Sequence, residues 1–122
     1  MAAINPTVGD LAGNSAEVAR AAAAAAAEGA HLIVFPEMVL TGYPIEDLAL
    51  RSSFRAASKV AIDELAQNLE DQGFGDLVAI VGYLDEAPDG RPQNVAAVIH
   101  GGHVKARYIK TCLLYTSPSP RD

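Results

Sequence analysis

An acid that follows a proline at the end of an apolar run, and a lysine that closes a later alternating run, are the two residues here best placed for chemistry. The first is Glu37, after His31, Leu32, Ile33, Val34, Phe35 and Pro36. The second is Lys110, at the end of a stretch in which Val104, Ala106 and Tyr108 alternate with Lys105, Arg107 and Ile109. In layered α/β sheets, ligands gather beyond the carboxyl ends of strands, so both positions qualify. A partly buried carboxylate has its pKa raised toward neutrality, which suits a general base. A lysine close to it could hold a developing oxyanion. Taken singly, each has a plainer use: Glu37 as a solvated loop acid or helix cap, Lys110 as a charge that blunts a sheet edge. The pair carries more weight than either member, and the expectation is that the two meet at neighbouring strand tips.

Other motifs carry less. The stretch Gly9 to Ser15 (GDLAGNS) invites comparison with a phosphate-binding loop, but such a loop needs four residues between its glycines and a lysine after the second. Here three intervene and Asn14 follows. His100 and His103 flank a pair of glycines with no cysteine or acid beside them, so they read as solvated turn histidines and no metal site is expected. Cys112 is the single thiol and lies two residues from Lys110. A nucleophile and an oxyanion-holding lysine must face one carbonyl from different directions, so that adjacency counts against it and Cys112 is read as non-catalytic.

Composition narrows the class. With 122 residues there is room for one modest core, or for part of a larger domain. Nine basic against fifteen acidic residues give a net charge of −6, which argues against nucleic acid or an anionic membrane as the main partner. Lys105, Arg107 and Lys110 form the only basic cluster. A lone cysteine excludes an internal disulfide framework and fits a reducing compartment, the cytoplasm being the simplest assignment. No stretch approaches the roughly 20 apolar residues a spanning helix needs. The alanine run Ala21 to Ala27 lacks a basic leader and follows Glu17, so it reads as part of a soluble helix.

The elements that would position the two residues follow from local pattern. Asn14, with Glu17 three residues on, predicts a capped helix running to Glu28 and ended by Gly29. His31 to Phe35 predicts a short strand covered on both faces, stopped by Pro36. Glu37 to Ser53 reads as a structured loop with a helical turn at Glu46 to Leu50. A second helix is predicted from Phe54 to Leu69 with Ala57, Ala61, Leu65 and Leu69 on its apolar face. Leu77 to Tyr83 is a second buried strand, and Pro88 to Pro92 a break. Asn94 to Ile99 and His103 to Ile109 form a hairpin across Gly101 and Gly102. The alternation predicts an α/β layered fold with at least one parallel crossover. Ala2 to Ile4 leaves only a remnant of a first strand, and Cys112 to Asp122 breaks every earlier pattern, as a disordered tail does.

Ile4 to Asn14 (INPTVGDLAGN) and Phe35 to Leu48 (FPEMVLTGYPIEDL) together resemble the glutaminase domain of bacterial glutamine-dependent NAD synthetases, within the nitrilase superfamily. Arg107, Tyr108 and Lys110 resemble the segment around that family's lysine. The likeness runs over residues 4 to 110. It implies a nitrilase-type four-layer α-β-β-α sandwich, present only in part, and a Glu-Lys-Cys triad that hydrolyses the side-chain amide of glutamine. In that scheme Glu37 is the general base, Lys110 steadies the tetrahedral intermediate, and Tyr43 lies near the glutamine pocket. The family's nucleophilic cysteine lies on a later strand and none of the residues here matches it.

The resemblance therefore implies an N-terminal part of the domain, residues 1–110, inactive by itself. ATP, magnesium and deamido-NAD belong to a synthetase domain beyond it, and the whole enzyme is expected to be a homo-oligomer. After the lysine the family continues Leu-Pro-Asn-Tyr, whereas here Leu113, Leu114 and Tyr115 lead into unrelated residues. Residues 111–122 are expected to be unrelated to the domain, and from about Cys112 they look like a translated sequencing-library adapter, so a truncated reading frame is expected. Two rivals stand beside this reading: another nitrilase-superfamily amidase, and a non-catalytic interaction module.

Overall fold

The first helix, α1 (Leu11–Ala27), begins where Asp10 takes the cap position and its carboxylate accepts the Gly13 N–H at 3.0 Å. This corrects the expected cap: Asn14 lies inside the helix and is buried, and Glu17 pairs with Arg20. An aspartate one turn earlier satisfies an orphan N–H of the first turn, so Asn14 is released for other partners. The carboxyl end falls where the sequence predicts it, with Glu28 as cap and Gly29 next at φ +83°. The computed structural model describes residues 7, 9–36, 38–42 and 51–112, with the side chains of 111 and 112 outside that description. The predicted strand remnant at Ala2 to Ile4, the turn at Glu46 to Leu50, and residues 113–122 all lie outside the described residues.

Strand β1 (Leu32–Val34) is shorter than the apolar run predicts. Nor is it covered on both faces, since Leu32 is 54% exposed. It pairs in parallel with β2 (Val78–Glu86), Val34 opposite Ile80, and α2 (Ser52–Asp71) makes the crossover between them. The buried face of α2 is rotated from the predicted one. Arg55, Ser58, Ile62, Leu65, Ala66 and Leu69 are buried, whereas Ala57 is exposed. Two polar residues set that rotation: Ser58 Oγ accepts the Leu84 N–H at 3.2 Å, and Arg55 Nε donates to Glu86 Oε2 at 2.7 Å.

β2 continues antiparallel to β3 (Pro92–His100), which pairs with β4 (His103–Cys112), so the order is β1-β2-β3-β4. β3 begins on its proline, the strand position where a missing N–H is tolerated. Gly101 (φ +62°) and Gly102 (φ +82°) turn β3 into β4 with both residues left-handed, as a tight two-residue hairpin requires. One sheet face carries the rows Ala79–Ile99–Val104, Val81–Ala97–Arg107 and Tyr83–Val95–Ile109. Ala79, Val81, Tyr83, Val95, Ala97 and Ile99 are buried there against Val18, Ala19 and Ala22 of α1 and Ile62, Leu65, Ala66 and Leu69 of α2. On the other face Ile80, Ala96, Val98 and Ala106 are half buried and Tyr108 is 63% exposed. The described residues thus form one helical layer on one sheet, an α/β arrangement matching part of an α-β-β-α sandwich. No described helix is long and apolar enough to cross a membrane.

Candidate active site

β1, β2 and β4 run in the same direction, because β3 is antiparallel to both of its neighbours. Their carboxyl ends therefore lie at one end of the sheet. That end gathers the segment after β1 and the last residues of β4. Glu37 and Tyr43 lie outside the described residues, and the backbone on either side of position 37 is closely held. Phe35 N–H donates to Ile80 O at 2.9 Å and Leu40 N–H to Gly82 O at 3.1 Å, so the chain follows β2 beyond the formal end of β1.

Met38 adopts φ +58°, rare for a residue with a side chain, and such strain collects at functional positions. Its carbonyl accepts from Gly42 N–H at 2.9 Å and from Thr41 Oγ1 at 3.3 Å. Met38, Val39, Leu40 and Thr41 are all buried.

Asn14 locks this turn from behind. Its Nδ2 donates to Leu40 O at 3.0 Å and to Thr7 O at 2.7 Å, while its Oδ1 accepts Thr7 N–H at 2.7 Å. Gly9, at φ +79°, donates its N–H to Thr41 O at 2.8 Å. The phrase that fails as a phosphate loop is thus a buckle: Gly9 and Asn14 join the start of α1 to the turn after β1, while Asp10 caps the helix. Sequence reasoning missed this, because an asparagine before a helical run signals a cap locally and its long-range partners leave no local mark.

Lys110 is exposed near the end of β4. The ladder pairs Val95 with Ile109 and Asn94 with Thr111, leaving Lys110 as an extra residue in a β-bulge. A second bulge falls at Lys105, between the pairs Val98–Ala106 and Ile99–Val104. Bulges bend a strand and re-aim side chains, and they recur beside active sites. The expected meeting of Glu37 and Lys110 involves a residue outside the described ones, but the strands that lead to them are not neighbours in the described sheet. β1 and β4 share an end of the described sheet and are its two outer strands, three inter-strand steps or roughly 14 Å apart.

Behind the bulge lies a charged cluster that sequence reasoning did not assemble. Tyr83 Oη donates to Asp85 Oδ2, and Arg107 Nε donates to Tyr83 Oη at 2.9 Å. Arg107 Nη2 also stands 3.6 Å from Asp63 Oδ1 on α2. Burial pushes the Tyr83 phenol well above its usual range, and the Asp85 carboxylate adds to this. The hydrogen bond to Tyr83 holds the Arg107 guanidinium still more firmly charged, with Asp63 and Asp85 contributing. Tyr83 and Asp85 stand two apart on a strand and so share a face, a signal present in the sequence. Arg107 as their partner required the register. His103 is exposed and His100 half buried on the hairpin, and no group of three or more metal-ligating side chains occurs among the described residues.

A parallel crossover feeding a hairpin, with a strained turn and a bulged lysine at one sheet end, defines a class on comparison with known proteins. Residues 1–122 match the carbon-nitrogen hydrolase family, and the chain belongs to it. Among its relatives is the glutamine-dependent NAD(+) synthetase of Thermotoga maritima, 36% identical over 113 residues, which cover 93% of this chain and 19% of that protein. The solved glutamine-dependent NAD+ synthetase of Acinetobacter baumannii, in complex with ADP, superposes with a TM-score of 0.74 at 29% identity, over 93% of this chain and 20% of that one. The corresponding enzyme of Cytophaga hutchinsonii gives a TM-score of 0.80 at 24% identity, over 92% of this chain and 18% of that one, a likeness of fold. The chain spans about a fifth of the length of the curated relatives it matches.

Proposed function

We propose that this chain is the N-terminal part of the amidohydrolase unit of a glutamine-hydrolysing NAD synthetase, contributing the general base and the oxyanion-stabilising amine. Glu37 takes the proton from a cysteine thiol supplied by the remainder of the domain. The thiolate attacks the side-chain amide carbon of glutamine, and the Lys110 ammonium steadies the oxyanion that forms. Collapse of the tetrahedral intermediate breaks the C–N bond and releases ammonia, with the leaving nitrogen taking up the proton. Water then cleaves the thioester to glutamate. The ammonia goes to an ATP- and magnesium-dependent step that converts deamido-NAD to NAD. Cytoplasmic location and homo-oligomeric assembly accompany this reading.

The observation that carries it is the common end of β1, β2 and β4. The chain segment holding Glu37 begins there, beside a strained turn, and Lys110 occupies a bulge there. The relatives of known name act with glutamine, and their likeness extends over this same stretch.

The test is to replace the matching segment of the Thermotoga maritima synthetase by residues 1–110 of this chain and to measure NAD formation with glutamine. The hybrid is expected to be active, whereas residues 1–122 alone release no ammonia. In the hybrid, Glu37→Gln and Lys110→Ala should each lower the glutamine-dependent rate by about 10²- to 10³-fold, the loss typical of a missing base or oxyanion donor. Ammonia supplied directly should restore synthesis. Full glutamine-dependent activity in either variant would refute the assignment.

A further inference from the structure

The bulge at Lys110 lies close to the end of an outer strand of the described sheet, where ladder pairing holds the backbone from one side only. Arg107 gives that strand a second attachment. It stands opposite Ala97, which stands opposite Val81, yet its Nε reaches across β3 to Tyr83 Oη on β2 at 2.9 Å. The anchor is stiff, because Tyr83 is wholly buried and its hydroxyl proton is committed to Asp85. A second arm of the guanidinium, Nη2, faces Asp63 of α2 at 3.6 Å, and Nε lies 3.8 Å from Asp85 Oδ2. Asp85, Tyr83 and Arg107 thus form a hydrogen-bonded chain, and Asp63 pairs with the guanidinium as an ion. It joins β4 to β2 and to the helical layer three residues, roughly 10 Å, before the bulged lysine.

We propose that Arg107 is a positioning residue for Lys110: by tying β4 to Tyr83 and Asp63 it fixes the bulge from which the lysine amine is presented. Its catalytic meaning rests on the reading of Lys110 given above, but the positioning itself can be measured without turnover. The chain has three lysines, Lys59, Lys105 and Lys110, so ¹³C-lysine labelling gives three resolvable side chains, assigned with Lys110→Arg.

In the 122-residue chain the two ε-methylene protons of Lys110 should be distinct, as in a held side chain. Arg107→Ala should merge them into one averaged signal while leaving Lys59 unchanged. A merely structural role for Arg107 would lower stability and leave the Lys110 pair resolved. Should Arg107→Ala fail to fold, Tyr83→Phe removes the anchoring hydroxyl at nearly constant volume and should merge the same pair. An averaged Lys110 signal in the unaltered chain, or a resolved pair in the folded variants, would overturn the proposal. An active Lys110→Ala hybrid would instead remove the catalytic reading and leave this result standing.

Discussion

Asn14 shows how far one side chain's job can differ from its local signature. Its amide fills three hydrogen bonds, all to backbone of segments that α1 does not contain, and it is 2% exposed. Deleting it strands the buried carbonyl of Leu40 and removes two partners from the backbone of Thr7, and a buried peptide group left unsatisfied costs about 1–3 kcal/mol. Asn14→Ala is therefore expected to lower unfolding free energy by about 2–4 kcal/mol in urea titrations. Asn14→Asp should fare no better near neutral pH, because a carboxylate cannot donate to the two carbonyls. A loss under about 0.5 kcal/mol would mean that the buckle does not hold the turn.

Among the elements, the β3–β4 hairpin is the one whose sequence and geometry agree most closely. Two consecutive left-handed residues are required there, and Gly101 and Gly102 supply them. The two positions differ in surroundings. A Cβ at Gly102 would stand 3.1 Å from Glu70 Cβ on α2, whereas at Gly101 the nearest atom is Lys105 Cε at 3.9 Å. Gly102→Val, strained and crowded by a helix, should destabilise by about 2 kcal/mol or more. Gly101→Asn should change stability by less than about 1 kcal/mol, since asparagine tolerates this backbone. Paired thermal melts decide it, and equal effects at the two sites would contradict the account. The helix α2 teaches the opposite lesson. Its apolar spacing predicts a face through Ala57, but the buried Arg55 and Ser58, engaged by Glu86 and Leu84, turn it.

For the molecule as a whole, the raised Tyr83 phenol links folding to alkaline pH. Below about pH 10, the ordinary tyrosine value, folded and unfolded chains both keep the proton and the full contribution is present. As pH rises further the unfolded chain releases its proton first, so stability is lost on the way to the higher folded value. Urea midpoints measured from about pH 9 to 11.5 should fall with pH, and Tyr83→Phe should flatten the slope. An unchanged slope in that variant would place the alkaline loss elsewhere. The sheet's second face is unevenly covered: Leu84 and Asn94 are buried on it, Ile80, Ala96 and Val98 are half buried, and Tyr108 is exposed.

Local pattern alone determined the α/β alternation, the parallel crossover, the glycine hairpin and the end of α1. Each depends on backbone preferences or apolar period over a few residues, which neighbours in sequence express directly. The phrases Ile4 to Asn14 and Phe35 to Leu48, with the segment around Lys110, likewise carry the family likeness in the sequence itself. The tertiary structure decided what depends on register and on partners distant in the chain. These are the bulge at Lys110, the placement of β1 and β4 on opposite edges of the described sheet, the strained Met38, the Asn14 buckle, and the Tyr83–Arg107 tie across β3. Such contacts form only when strands align, and a single sequence carries no local record of which residues will then stand opposite each other.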